Sequence, residues 1–269
     1  HVPPMEAAAE IMYLCCDGTG VPMRATETIG RKGRATDGRA KTREVKLGCI
    51  FTQLGTDTEG RPLREPTSTT SCATFDGAHQ LGPLLREQAR QRGLGNANQS
   101  VFIGDGAAWI WKLADTNFPS ATLILDFYHA CEHLHQLANI LWPEDPEAAG
   151  RAQAWTKALY KGRLGSVVKQ AQEALPRHGP RRKKASVEIA YFTSNAKRMR
   201  YALFRKQGYF IGSGVVEAGC KTVVAQRMKH SGMHWTVAGA ASVIAARCCV
   251  LNKLYDQFWA DRNGYKNAA

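Results

Sequence analysis

Three apolar runs in this chain each end on an acid, and they limit what it can fold into more than any other feature. Ile11 to Cys16 runs into Asp17-Gly18-Thr19-Gly20, Val101 to Ile103 into Gly104-Asp105-Gly106, and Ala121 to Leu125 into Asp126. Short apolar runs closed by turn residues read as buried strands. The ends of such strands are where open α/β sheets carry their chemistry, because rigid backbone holds a side chain facing a crevice.

The segments between these runs complete an element order. Residues 24–43 are polar, glycine-rich and basic (Arg24, Arg31, Lys32, Arg34, Arg39, Lys41, Arg43) and read as a loop. Val45 to Gln53 reads as a second strand and Ser71 to Phe75 as a third, with turn chemistry from Gly55 to Pro66. Ala78 to Arg92 places Leu81, Leu84, Leu85 and Ala89 at helical spacing, with Gly93 and Gly95 to end it. Ala107 to Ala114 and Asp126 to Leu141 read as helices. Three strands, a helix, a strand, a helix, a strand and a helix match a mixed α/β sheet of the ribonuclease H type. Beyond it, Ala148 to Leu175 and Val187 to Arg205 read as helical, joined by a basic linker from Pro176 to Lys184. Residues 215–230 and 236–259 predict two further helices. The expected division is therefore a first core part over 1–142, a helical insertion over 143–207 and a second core part over 208–269.

Composition narrows the partners. The 269 residues hold 36 Lys and Arg against 23 Asp and Glu, a formal charge of +13. A surface of that sign attracts polyanions, since neutralising phosphates releases condensed counterions. Nucleic acid is the commonest such partner and an anionic membrane the rival. No stretch approaches the roughly 18 apolar residues of a membrane span. The start HVPPMEAAAE lacks the pattern of a signal peptide, and its opening on His1 reads as a fragment or a trimmed chain. The eight cysteines include no C-x-x-C spacing, so the reading is reduced, mostly buried thiols in a cytoplasmic protein.

Asp17 and Asp105, each at a strand end beside glycine, could coordinate a hard cation such as Mg2+. Asp-Gly is also a common turn dipeptide, so each acid alone leaves both readings open. Glu217 follows Gly212-Ser213-Gly214, but Val216 stands where a capping box from Ser213 would need an acid or amide. Glu217 shares a helix face with Lys221, either as a solvated pair or as a metal ligand with a phosphate-binding lysine beside it. Asp126 reads as a helix N-cap. His129 and His133, four residues apart, could share a zinc ion, although the Glu of a metalloprotease helix is displaced to Glu132. Trp109, Trp111, Tyr128 and Trp235 are core residues or base platforms. Basic clusters at Arg181–Lys184, at Lys197 to Lys206 and at Lys221, Arg227, Lys229 and His230 are solvated faces or a phosphate path.

Three phrases together carry a resemblance: CDGTGVP (16–22), IGDGAAWIW (103–111) and IGSGVVEAGCK (211–221), the last continuing into RMKHSGMHW (227–235). The chain resembles the ISKra family of bacterial insertion-sequence transposases, within the DDE superfamily that includes Mutator-like elements. The resemblance runs from about residue 12 to 250. It implies that Asp17, Asp105 and Glu217 form a metal-binding catalytic triad for DNA cleavage and strand transfer with two Mg2+ ions, or Mn2+ in their place. It implies an α-helical insertion before the Glu helix, and a supporting role for Asp126 and His129, which match a C/D-x-x-H signature. DNA contacts would fall to Lys221, Arg227 and Lys229. The implied partners are transposon ends and target DNA, bound by a homo-oligomer in the bacterial cytoplasm and at the nucleoid, with no membrane. One position departs from the family pattern: His234 stands where relatives carry Arg. Full-length relatives also have an N-terminal region that this sequence lacks. Two other readings remain at this point: an inactive transposase-derived DNA-binding protein, and an unrelated zinc-dependent hydrolase using Asp126, His129 and His133.

Overall fold

The computed structural model describes residues 10–33, 36 and 38–267. Arg34 of the basic loop and the reading of the chain start at residues 1–9 lie outside the described residues. Among the described residues, six strands form one mixed sheet: β1 (Ile11–Pro22), β2 (Thr42–Thr56), β3 (Pro62–Arg64), β4 (Thr70–Thr74), β5 (Gln99–Gly104) and β6 (Thr122–Leu125). The order is β3-β2-β1-β5-β6, with β4 also paired to β2. β1 runs antiparallel to β2 and parallel to β5, and β5 runs parallel to β6. Residues Ile11 to Cys16 are all buried, which explains why the run is apolar without alternation: β1 is covered on both faces.

The covering helices are α1 (Ala78–Gln91), α2 (Ala108–Asn117), α3 (Phe127–Leu141), α4 (Ala148–Tyr160), α5 (Leu164–Glu173), α6 (Pro180–Ser194), α7 (Tyr201–Lys206), α8 (Gly214–Gly219), α9 (Gln226–Met228), α10 (Val237–Leu251) and α11 (Tyr255–Asn267). A π-helical segment, Cys220–Ala225, joins α8 to α9. α1 and α8 cover opposite faces of β2, as the two-residue period of a strand requires. A Cβ at Gly48 would lie 2.9 Å from Leu85 of α1, and one at Gly219 of α8 would lie 2.9 Å from both Leu47 and Cys49. The core is tied across the sheet by Tyr13, whose ring stacks on Phe51 at 4.8 Å. Its buried hydroxyl donates to Gln53 Oε1 at 2.6 Å and accepts from the Phe210 N–H at 3.2 Å. A buried Tyr needs such partners, and here they fix the segment that leads into α8.

Several elements differ from the sequence expectation. The turn expected at Asp17-Gly18-Thr19-Gly20 is absent, because Gly18 and Gly20 pair with Lys46 and Glu44 and β1 continues to Pro22. The turn segment from Gly55 to Pro66 contains the short edge strand β3. The basic linker is half helix: Gly179, at φ 99°, hands over to Pro180 as the first residue of α6, a position where a missing N–H costs nothing. The expected helix over Ala148 to Leu175 is split at Gly162, where φ is 76°. The expected helix over Val187 to Arg205 ends at Ser194, before a 3-10 turn at Ala196–Arg198. The last helix breaks after Leu251, with Lys253 at φ 60°, and α10 and the following helix meet at 109°. No single helix among the described residues is long and apolar enough to cross a membrane. All described cysteines are free.

The close approach of α8 to β2 gives a direct test. Gly219→Ala would gain about 1 kcal/mol of helix propensity but overpack a site that normally costs about 1–3 kcal/mol to overfill. We expect a net loss of stability of about 1 kcal/mol, read as a lower urea midpoint at constant m-value. A midpoint at or above that of the parent chain contradicts the close packing.

Candidate active site

The sheet brings Asp17 and Asp105 together, although Asp17 lies within β1 rather than at the strand end expected from sequence. The last parallel pair between β1 and β5 is Cys15 with Ile103. Asp17 and Asp105 each lie two residues further on, so they share a face on neighbouring strands, which run about 4.8 Å apart. β6 ends in the same place: Leu125 pairs with Gly104, and the Asp126 N–H donates to the Gly104 carbonyl at 2.8 Å. Asp105 Oδ1 accepts the Ala107 N–H at 2.8 Å, which closes the turn into α2. Gly106 makes that turn possible. Its φ is 103°, and a Cβ there would lie 2.7 Å from the Tyr191 ring.

Glu217 arrives on α8. Asp17, Asp105 and Glu217 line one cavity of about 260 Å3, together with His129, Glu132 and Ser213. Each carboxylate is hydrogen-bonded at the protein's own expense. Asp17 accepts from Gly18 N at 2.6 Å and from the Cys220 thiol at 3.3 Å, and Glu217 accepts from Ser213 Oγ at 3.0 Å. Burial, and after it the Asp17 charge, pushes the Cys220 thiol up, so it stays a donor. Among the described residues, no three His, Cys, Asp or Glu side chains stand close enough to hold a metal ion as they are turned here. The donor set itself is carboxylate oxygen, which suits a hard cation. Among the described residues, nothing donates a hydrogen bond to the second oxygen of Asp105 or of Glu217.

Asp126 and His129 have different places. Asp126 is buried at 1% exposure and does not line the cavity. Its Oδ1 caps α3 by accepting the His129 N–H at 2.6 Å, and its Oδ2 accepts the Ser213 N–H. It fastens the start of α3 to the start of α8. His129 does line the cavity, with Nδ1 3.4 Å from Glu132. The His133 ring meets that of His129 edge-on at 4.9 Å, but its Nδ1 lies 2.6 Å from Glu188 Oε2 and its face stacks on Tyr191 at 3.9 Å. With both Asp126 oxygens taken by main-chain N–H groups and His133 held by Glu188, the three side chains do not share one point among the described residues.

Tyr191 and Glu188 of α6 escaped sequence reading, yet they tie the helical segment to the site. Tyr191 donates its hydroxyl to the Asp105 carbonyl at 3.0 Å. Burial, followed by the charges of Asp105 and Asp126, pushes that hydroxyl up and keeps it protonated. Glu188 did leave a signal. It sits with Ala185, Ile189 and Phe192 on the buried stripe of α6, where an acid without a partner would be costly.

The outer parts of the site are basic. Lys221, Arg227 and Lys229 are exposed. Lys229 Nζ donates to Thr19, two residues beyond Asp17, at 2.6 Å, and Arg227 lies over the Trp235 ring. Glu217 and Lys221 form no ion pair, because the π-helical segment begins between them and Glu217 bonds to Ser213. Of the expected aromatics, Trp111 is core at 7% exposure, whereas Tyr128 is 68% exposed at the cavity mouth.

No protein-family model and no curated protein matches the chain. Among solved structures it is similar to the Drosophila P element transposase strand transfer complex, at 10% sequence identity and a TM-score of 0.41. The match covers 91% of this chain and 77% of that one.

The Asp126 fastening predicts a measurable cost. Asp126→Ala removes an N-cap, about 0.5–2 kcal/mol, and leaves the buried Ser213 N–H without an acceptor, about 1–3 kcal/mol. The expected sum is about 2–4 kcal/mol in urea denaturation. Tyr191→Phe, which deletes one neutral hydrogen bond, should cost about 1 kcal/mol. Equal costs for the two variants would refute the fastening role.

Proposed function

We propose that this chain is the catalytic part of a DNA transposase that cleaves and joins DNA on a ribonuclease H-like sheet, with Asp17, Asp105 and Glu217 as its metal-binding catalytic residues. The observation that carries the reading is the single cavity lined by these three carboxylates, which come from three distant stretches of chain. The strand order β3-β2-β1-β5-β6, with β1 central, is compatible with that fold. In this reading residues 143–207, which hold helices and no strand, are the insertion between two core parts at 1–142 and 208–269.

Asp17, Asp105 and Glu217 would hold two Mg2+ ions, or Mn2+. Bound there, such ions would supply activation of a hydroxyl nucleophile and positive charge against the phosphate in phosphoryl transfer. As ligands, Asp17 would exchange its bond from the Cys220 thiol, and Glu217 its bond from Ser213 Oγ, for the cation. Asp126 keeps α8 in register with the strand ends while this happens. His129, on the cavity wall, would donate to a DNA oxygen, and Glu132 beside it would accept from a water or a hydroxyl. Lys229, Lys221 and Arg227 supply exposed positive charge for the DNA backbone beside the cavity. DNA, as transposon end and target, is the proposed partner, bound by more than one copy of the chain.

Asp17→Asn, Asp105→Asn and Glu217→Gln should each abolish Mg2+-dependent nicking of supercoiled DNA, a loss of at least about a thousandfold given the electrostatic weight of such sites. Binding in a gel-shift assay should be kept. Nicking at the parent rate by any one variant removes that residue from the set. DNA binding by the parent chain without any nicking in Mg2+ or Mn2+ would instead mark an inactive DNA-binding protein.

A further inference from the structure

A second cavity, of about 610 Å3, adjoins the acidic one, and the ring of Tyr128 lines both. Tyr128 is largely exposed, but its position is fixed from behind. Asp126 caps its helix, and the Phe127 N–H donates to the Ile211 carbonyl at 2.8 Å. Gly212 leaves room for the ring, since a Cβ there would lie 2.9 Å from it. A second ring, Tyr160, is 39% exposed in the same cavity. The Arg205 guanidinium lies 3.6 Å over the centre of that ring, and Lys206 stands beside it. Neither cation forms an ion pair among the described residues. Arg61, also on the wall, is matched by Asp57 and Glu59 and adds no net attraction.

The Tyr160 face is taken by Arg205, which leaves Tyr128 as the open ring. An exposed aromatic ring beside cations without ion pairs selects a ligand that is flat, aromatic and anionic. A nucleotide is such a ligand, but in a duplex its base faces are covered by its neighbours. Proteins that hold unpaired strands combine a positive groove with rings on which bases stack. We infer that this cavity receives unpaired nucleotides of the DNA strand entering the acidic cavity, with a base stacked on Tyr128 and the backbone against Arg205 and Lys206. The inference rests on the transposase reading, and it adds that the strand must be locally unpaired next to the site of cleavage.

The test uses the whole chain without divalent ions and two DNA probes, a blunt duplex and the same duplex with a short single-stranded tail. The parent chain should bind the tailed duplex more tightly, and a 2-aminopurine base in the tail should be quenched on binding. Tyr128→Ala should lose about tenfold in affinity for the tailed duplex, in line with one stacked base, and little for the blunt one. Tyr128→Phe, which keeps the ring, should retain the preference. Lys206→Ala should weaken tailed binding and lower its dependence on salt. Equal binding of the two probes by the parent chain, an unquenched base, or equal losses on both probes for Tyr128→Ala would overturn the inference. Because binding alone is measured, the test decides even for a chain that cannot nick DNA. Tail-independent binding with intact nicking would sink this inference alone.

Discussion

The Asp126 carboxylate spends both oxygens on main-chain N–H groups, one at His129 and one at Ser213. That double acceptance ties the helix carrying Glu217 to the strands that carry the other two acids. Parallel pairing of β1 and β5 sets Asp17 beside Asp105, β6 brings Asp126 to the same edge, and Ser213 brings α8 with Glu217. A carboxylate buried to this degree is tolerable because each oxygen accepts a main-chain N–H and the group caps a helix, whose N-terminal dipole favours negative charge. Tyr13 does the same work on the other side of the segment before α8. Its hydroxyl joins β1, β2 and Phe210.

The parts of the fold that could be read in the sequence are those where one local signal dominates. The runs at 11–16, 101–103 and 121–125 are apolar without alternation, and all three are strands of the parallel core. Asp126 before an amphipathic stretch caps a helix. Asp105 follows the end of its strand as expected, whereas Asp17 lies within β1, which runs on to Pro22; the exposure of the basic residues around them was legible. What could not be read depends on distant partners. Gly18 and Gly20 look like a turn until a 15-residue strand lies alongside to pair with them. Pro176 to Lys184 looks like a linker because its basic side chains have no apolar period, yet Pro180 begins a helix once Gly179 has turned the chain. Tyr191 belongs to the site only because α6 folds back against α3.

The helical segment is coupled to the site through that one face of α6. Tyr191 reaches the Asp105 carbonyl, its ring stacks on His133, and Glu188 holds the other side of the same imidazole. The contacts go to main chain and to a residue outside the cavity, so the segment orients the site without occupying it. In this respect α6 acts as a buttress: it holds the Asp105 main chain and makes no hydrogen bond to the carboxylate, which the Ala107 N–H engages at one oxygen.

The π-helical segment at Cys220–Ala225 has a geometric consequence for everything after it. An i→i+5 turn holds one residue more than an α turn, and it is equivalent to a single insertion into a regular helix. Each residue of an α-helix advances the direction of its side chain by about 100°. Without the extra residue, Lys229 would point about a third of a revolution away from Thr19, and Met228 would leave the core it now fills. The wide turn thus sets the phase between the acid at the head of this helix and the cation at its tail.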